Sequence, residues 1–180
     1  MDDVKLTPTS HLILGMLSFG QDLSGYEIRG WTMGSVAHFY PAPAQSQIYS
    51  ELTKLETAGL VIGKDVPQPD RPDKRAFSLT DAGRNALERW ATGPCKPPTI
   101  KHHLALRAFL GHTAPTDELI PLLEEHRASL LSALDQLETN SVAMSGDPQT
   151  GNAGIVSDWV AEIYRGDLRG VDLTLKALRS

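Results

Sequence analysis

Apolar residues in the first part of the chain recur at helical spacing, a pattern that predicts helices. Thr7 and Pro8 suit the cap and the first turn of a helix that ends near residues 18–20. Ser24 suits the cap of a second helix, whose later turns are weakened by Gly30. The chain is therefore predicted to begin with two short helices.

A third helix follows, and its pattern is the most regular in this half of the chain. Ile48, Leu52 and Leu55 form its apolar face, and the pair at 58–59, Ala-Gly, supplies a stop signal. The opposite face is polar and consists of Gln45, Gln47, Tyr49, Ser50 and Lys54.

Alternation with a period of two replaces the helical pattern after the third helix. Residues 60–62 and 76–79 predict two short strands, and the proline-rich stretch between them predicts a long hairpin loop. Thr80 then suits the cap of a fourth helix that runs through Trp90.

The best candidate for a domain boundary is the segment TGPCKPP at residues 92–98, where proline and glycine cluster and periodic hydrophobicity lapses. We predict a first domain over residues 1–92 and a second domain over residues 93–180.

The second half of the chain is predicted to be helical throughout. A short helix over residues 99–110 has Leu104, Ala105 and Leu110 as its candidate core positions, and Thr116 suits the cap of a longer helix. Residues 144–152 predict a mobile loop, and a last helix starts near residue 153.

Apolar residues along the longer helix are separated by four and three positions, the spacing of a coiled-coil seam that needs a partner helix. We predict that this seam, together with two residues of the last helix, forms a homodimer interface. Its members are Leu119, Leu123, His126, Leu130, Leu137, Trp159 and Ile163.

Composition and charge narrow the classes of protein. Hydrophobic residues make up 41% of the chain and charged residues 22%, values typical of globular proteins. The single cysteine, Cys95, excludes an intrachain disulfide framework. The longest apolar run, residues 12–14, is far shorter than the roughly 20 residues of a membrane span, so we expect a cytoplasmic protein.

The net charge of −5 does not by itself indicate a nucleic-acid-binding protein. The order of the predicted elements does, because three helices, a strand, a long loop, a strand and a fourth helix form a winged helix-turn-helix. The predicted fold is therefore mainly α with a small β-hairpin, followed by a C-terminal helical dimerisation domain.

In this fold the third helix enters the DNA major groove and the hairpin loop reaches the backbone. Glutamine suits bidentate readout of adenine, and lysine and arginine neutralise phosphates. The same side chains also suit a solvated helix face, and the tyrosines also suit packing. The candidate DNA-binding residues are Tyr26, Gln45, Ser46, Gln47, Tyr49, Ser50, Lys54, Arg71, Lys74 and Arg75.

Four stretches of the first half closely resemble the PadR-type transcriptional regulators. They are LTPTSHLILGML at 6–17, SGYEI at 24–28, QIYSELTKLETAGLV at 47–61 and RPDKRAFSLTDAG at 71–83. The helical second half is similar to the longer PadR subgroup, whose extension resembles that of virulence-activator-type regulators. The resemblance implies a dimeric repressor that binds a pseudo-palindromic DNA site and loosens its grip when a small ligand binds.

Other candidate sites remain open. Trp31, Trp90 and Trp159 could line an aromatic pocket for a planar effector, or could be core or dimer residues. His102 and His103 are adjacent and point about 100° apart on a helix, so we expect no metal site and no cofactor.

The chain carries no nucleophile elbow, P-loop, HExxH motif or dinucleotide fingerprint, so we do not expect an enzyme. The alternative function is a winged-helix adaptor that binds another protein through its acidic surface and helical seam.

Overall fold

A computed structural model of the chain describes residues 5–67, 73–95, 97–113, 115–144 and 151–180. It divides into two compact units, Met1–Lys96 and Pro97–Ser180, which we call the winged unit and the helical unit. The division lies inside the proline-rich segment at 92–98.

The winged unit contains the four predicted helices. The second of them continues into a π-helical turn, Thr32–Val36, that the sequence pattern did not predict. The helices are α1 (Pro8–Leu17), α2 (Gly25–Trp31), α3 (Gln45–Thr57) and α4 (Asp81–Ala91).

The predicted N-caps of α1, α2 and α4 are present. Thr7 closes a capping box at α1, and Thr80 Oγ1 accepts a hydrogen bond from the Gly83 N–H at α4. At α2 the box is reciprocal: Ser24 Oγ accepts from the Glu27 N–H at 3.3 Å, and Glu27 Oε2 accepts from the Ser24 N–H at 2.8 Å. These hydrogen bonds satisfy donors that the first helical turn leaves without partners.

Three antiparallel strands form the sheet: β1 (Leu23–Ser24), β2 (Val61–Val66) and β3 (Lys74–Leu79), in the order β1-β3-β2. The predicted hairpin is β2–β3. The two-residue strand β1 was not predicted because it is too short for any periodicity, and its second residue is also the cap of α2.

The core of the winged unit joins the helices to the sheet. Gly83 allows the closest approach, since a Cβ at this position would lie 2.1 Å from the carbonyl oxygen of Leu60. The start of α4 therefore rests directly on the backbone before β2. The buried core residues are Ile13, Leu14, Leu17, Leu23, Ile28, Ile48, Leu52, Leu55, Val61 and Phe77.

The helical unit consists of α5 (His103–Phe109), a short 3₁₀ turn, α6 (Thr116–Met144) and α7 (Gly151–Leu178). Two predictions need correction. Helix α5 is shorter than residues 99–110, and Thr116 is the first residue of α6 rather than its cap.

Two of the core positions predicted for α5 are also wrong. Ala105 and Leu110 are exposed, and only Leu104 packs against the core of the unit. Among the described residues, no helix is both long and apolar enough to cross a membrane.

Helices α6 and α7 run antiparallel, because residues early in α6 pack against residues late in α7. Leu119 and Leu123 share a cluster with Val171 and Leu175. Farther along α6, Leu137 packs against Val160. The partner helix that the seam requires is therefore supplied by the same chain.

The other face of α7 is not covered by any of the residues that the structure describes. Four large apolar side chains are more than half exposed there, and two glycines lie between them on the same face. We call this surface the α7 stripe; it comprises Ile155, Trp159, Ile163, Gly166, Gly170 and Leu173.

Candidate nucleic-acid interface

Helix α3 separates apolar and polar residues as a recognition helix must. Ile48, Leu52 and Leu55 are buried in the core of the winged unit, which fixes the helix against α1, α2 and the sheet. The predicted contact residues Ser46, Gln47, Tyr49 and Ser50 are exposed on the other side. Their side chains are short or planar, so the α3 backbone can approach a groove closely.

Tyr49 is positioned by the start of α2. A Cβ built on Gly25 would lie 2.7 Å from Tyr49 Cε1, so the tyrosine ring lies directly over this glycine. Tyr49 is 49% exposed and Tyr26, the next residue of α2, is 75% exposed. Both predicted tyrosines are therefore accessible, and neither is a core residue.

The two glutamines of α3 differ from one another. Both polar atoms of the Gln45 side-chain amide are buried and have no hydrogen-bond partner among the described residues. In this conformation Gln45 does not present its amide to a base. This corrects the prediction that Gln45 contacts DNA. Gln47 is exposed, and its Nε2 donates to Thr9 Oγ1 at 3.1 Å, so α1 orients its amide.

Lys54 extends from α3 toward the N-terminal segment. Its Nζ donates to the carbonyl oxygen of Lys5 at 2.8 Å and lies 3.5 Å from a carboxylate oxygen of Glu51. Glu51 also accepts a short hydrogen bond from Ser10. These two partners engage two of the three N–H donors of the ammonium group, so Lys54 can contact a phosphate without giving up both of them.

Two of the three predicted wing cations lie on the strand rather than on the loop. Lys74 and Arg75 are the first two residues of β3, and each already has acidic partners. Lys74 Nζ donates to Glu27 Oε1 at 2.9 Å, and Arg75 donates to Glu56 at 2.8 Å and to Asp65 at 3.1 Å. Sequence periodicity gave no signal for these pairs, because the partners are 47, 19 and 10 residues away along the chain.

Arg71, the third predicted wing cation, lies outside the described residues.

The carboxyl group of Glu27, in the winged unit, has a strongly lowered pKa. The hydrogen bonds from the Ser24 hydroxyl and backbone, followed by that from Lys74, lower the pKa of its carboxyl group to about 2. Glu27 thus stays ionised at any ordinary pH and ties the start of α2 to the start of β3.

Comparison with known proteins identifies the family. The model of the transcriptional regulator PadR-like family matches residues 13–89. The negative transcriptional regulator PadR of Bacillus subtilis is 30% identical over 129 residues, which are 71% of this chain and 70% of the relative. The chain belongs to the PadR-like family of transcriptional regulators.

Solved structures of PadR-type proteins share the whole fold. The crystal structure of B. subtilis PadR with operator DNA has a TM-score of 0.82 and 24% identity, and covers 94% of this chain and 98% of its own. The same protein with p-coumaric acid gives a TM-score of 0.75 at 24% identity, covering 95% and 98%. The virulence activator AphA of Vibrio cholerae gives 0.73 at 22%, also covering 95% and 98%. These matches include the helical extension that the sequence resemblance implied.

The dimer residues predicted from the α6 seam need correction. Leu119, Leu123, Leu130 and Leu137 are buried against α7 of the same chain, so they are not available to a second copy. His126 is also engaged inside the helical unit, where its Nε2 donates to Asp167 Oδ2 at 2.9 Å.

The two α7 members of the predicted interface are exposed. Trp159 and Ile163 belong to the α7 stripe, whose apolar and glycine positions are separated by four and three residues. In the sequence, this spacing is the pattern that could have identified the uncovered face of α7.

The three tryptophans lie in different surroundings. Trp31 packs at a tilt against Phe19, and Trp90 stacks on His11 with ring centroids 4.5 Å apart, both within the winged unit. Trp159 is exposed on α7 of the helical unit. A shared effector pocket stays a prediction.

Proposed function

We propose that this chain is a homodimeric, sequence-specific DNA-binding repressor that acts in the cytoplasm and is released from its operator by a small molecule. Residues 1–92 would bind DNA and residues 93–180 would hold the dimer together. The family membership supports a regulatory rather than a catalytic role. B. subtilis PadR, a negative regulator solved with operator DNA, supports repression through DNA binding.

The observation that carries the proposal is the two-sided character of α3. Its apolar residues are fully buried while Ser46, Gln47, Tyr49 and Ser50 face outward on a helix held by three other elements. A rigid helix with an exposed, mostly uncharged polar face can read base edges in the major groove.

The cations of β3 support a backbone contact next to that helix. Lys74 and Arg75 form ion pairs with Glu27, Glu56 and Asp65 in the chain without DNA. Phosphate oxygens would compete with these carboxylates for the same donors. Because phosphate contacts form on any sequence, such competition lowers specific and non-specific affinity alike and leaves discrimination between sequences to the base contacts.

The α7 stripe supports a dimer. Trp159, Ile163 and Leu173 are all exposed along one helix. Together they form a larger apolar patch than the single exposed apolar residues of an ordinary monomer surface. A Cβ on Gly170 would meet no atom within 4 Å, and one on Gly166 would meet only the end of the Arg169 side chain, at 3.7 Å, so a second helix can approach closely here. A two-fold dimer would present two α3 helices to the two halves of a pseudo-palindromic site.

Release by a ligand is supported by the structure of B. subtilis PadR with p-coumaric acid, a planar organic acid. Trp31, Trp90 and Trp159 stay the candidates that the sequence predicts for contact with a planar ligand. Inside the helical unit, a concave surface with a mostly apolar lining carries one cation, Arg107, and one carboxylate, Glu118.

The test is fluorescence anisotropy of the full chain with its own upstream DNA and with a scrambled duplex, at several salt concentrations. We expect the upstream DNA to bind at least about a thousandfold more tightly than the scrambled duplex. The double variant Lys74→Gln/Arg75→Gln should lose at least about tenfold in affinity. Its salt slope should fall by up to about one for each phosphate contact removed. Glutamine removes each charge without placing a new one beside Glu27 or Glu56.

The matched control is Lys101→Gln/Lys176→Gln, which removes the same two charges from exposed positions in the helical unit. It should change the affinity by less than about twofold. An equal loss in both variants would refute the β3 contact. Equal, weak binding of both duplexes by the unmodified chain would refute the repressor and favour the protein-binding adaptor.

A further inference from the structure

Three polar side chains from three separate segments of the helical unit meet at one point. His102 Nε2 lies 2.9 Å from Asp167 Oδ1, and His126 Nε2 lies 2.9 Å from Asp167 Oδ2. The two imidazole rings are edge to face, with centroids 5.4 Å apart. One ligand atom from each residue can be chosen so that all three lie within 4.8 Å of one another.

Each member of this cluster is held by its own element. His102 is the N-cap of α5, His126 lies on α6 between the buried Leu123 and Leu130, and Asp167 lies on α7. Their side chains are 25–31% exposed, so one side of the cluster is open to water. Burial alone would raise the pKa of Asp167, but the hydrogen bonds from His126 and His102 outweigh it and the pKa is lowered.

We propose that His102, His126 and Asp167 form a binding site for a divalent transition-metal ion, with Zn²⁺ as the reference ion and water in the remaining coordination position. Two imidazole nitrogens and one carboxylate oxygen are ligands typical of zinc. Imidazole disfavours the oxygen-seeking ions Mg²⁺ and Ca²⁺. Ligands about 2.1 Å from a tetrahedral ion lie roughly 3.4 Å apart. The two His–Asp pairs at 2.9 Å must therefore open slightly, and any pair near the 4.8 Å limit of the cluster must close.

Metal binding has a second consequence at His102. In the structure its Nδ1 accepts the Ala105 N–H at 3.0 Å, so Nε2 carries the ring proton and donates to Asp167. A metal ion needs the lone pair of Nε2, which moves the proton to Nδ1. Nδ1 then cannot accept from Ala105, and α5 loses its cap. His102 therefore cannot bind a metal ion through Nε2 and cap α5 through Nδ1 at the same time. A His–Asp hydrogen bond without a metal ion would leave the cap of α5 in place.

The test is isothermal titration of ZnCl₂ into the full chain, freed of any affinity tag and of metal. We expect one ion per chain with a Kd at or below about 10 µM, and no binding of MgCl₂ or CaCl₂. His126→Gln and Asp167→Asn should each weaken Zn²⁺ binding at least about tenfold. The matched control is His103→Gln, because His103 is adjacent to His102 but exposed and outside the cluster. Cys95→Ser should also bind like the unmodified chain.

Two measurements on the unmodified chain keep the test independent of any variant's folding. Co²⁺ should give visible d–d absorption that Zn²⁺ abolishes, and Zn²⁺ should increase hydrogen exchange at the Ala105 amide relative to the amides later in α5. The proposal is overturned if Zn²⁺ does not bind at 100 µM. It is equally overturned if both cluster variants, with unchanged helical circular dichroism, bind like the unmodified chain, or if the control loses as much affinity as they do.

Discussion

The two units of this chain solve the problem of covering apolar surface in different ways. The winged unit gathers most of its buried apolar side chains into one cluster that joins three helices to the sheet, and its outward face on α3 is polar. The helical unit has two smaller clusters between α6 and α7 and leaves the α7 stripe uncovered. A core closed within one chain gives stability that does not depend on protein concentration, whereas an uncovered apolar face ties stability to association.

The two units also differ in how their charged side chains are paired. In the winged unit the cations of β3 are paired with acidic residues of α2, α3 and β2, which orders the surface proposed to meet DNA. The helical unit also has arginine–carboxylate pairs, and in addition one of its acidic side chains, Asp167, joins two histidines. If the two units are independent, a substitution in one unit should leave the properties of the other unit unchanged.

The largest effect is expected in the core of the winged unit. Leu52→Ala removes a side chain that is 1% exposed and should lower the free energy of unfolding by about 3 kcal/mol, through lost burial and the cavity left behind. Urea denaturation followed by circular dichroism measures the loss.

The control for Leu52→Ala is Ile62→Ala, an exposed apolar residue of β2 in the same unit, which should change stability by less than about 0.5 kcal/mol. The dimer dissociation constant should not change in either variant. A weaker dimer in Leu52→Ala would show that the two units are not independent.

The next effect is expected on the α7 stripe. Trp159→Ala should raise the dimer dissociation constant about thirtyfold, equivalent to about 2 kcal/mol, because exposed tryptophans at interfaces are frequent hot spots. Sedimentation at several concentrations measures it. Trp90→Ala removes the same side chain from the winged unit, where Trp90 stacks on His11, and should leave the dimer unchanged. An unchanged dimer in Trp159→Ala would place the interface elsewhere.

Much of the winged unit could be predicted from the sequence because its signals are local. The caps at Thr7, Ser24 and Thr80 and the apolar spacing of Ile48, Leu52 and Leu55 each lie within one helix. Local patterns of this kind carry the choice of helix or strand directly.

The rest depended on contacts between distant segments. The heptad spacing of Leu119, Leu123 and Leu130 indicates that a partner helix exists, but not which chain supplies it. The sequence therefore predicts a dimer interface at this seam, whereas the partner in the structure is α7 of the same chain. Likewise, adjacency argued against His102 and His103 as metal ligands. The fold brings His102 to residues 24 and 65 positions away, which spacing rules do not detect.

A smaller effect is expected from the tie between α2 and β3. Since the pKa of Glu27 is about 2 in the folded chain and near 4.5 unfolded, its stabilisation is complete above pH 4.5 and is lost as the pH falls toward 2. Glu27→Gln should flatten this acid decline in urea midpoints. Glu88→Gln, at an exposed position of α4, should keep it. Ser24→Ala should lose about 1 kcal/mol at neutral pH through the cap.

The smallest effect on stability is expected at Gly25, and it separates packing from binding at Tyr49. Gly25→Ala adds a methyl group 2.7 Å from a ring carbon of Tyr49, but that ring is half exposed and can turn away. Stability should therefore change by less than about 0.5 kcal/mol. The displaced ring would no longer lie where the proposed DNA contact needs it, so operator affinity should fall about three- to tenfold, measured by anisotropy.

The control for Gly25→Ala is Gly30→Ala on the same helix. A Cβ there meets no atom within 4 Å, so the substitution should raise stability by up to about 1 kcal/mol through helix propensity and leave operator affinity unchanged. If Gly25→Ala also leaves affinity unchanged, Tyr49 serves only to pack α3 on α2. If it lowers affinity without lowering stability, then the glycine allows the close approach that aims the tyrosine at DNA. The function of the winged unit would then depend on a contact that its core does not require.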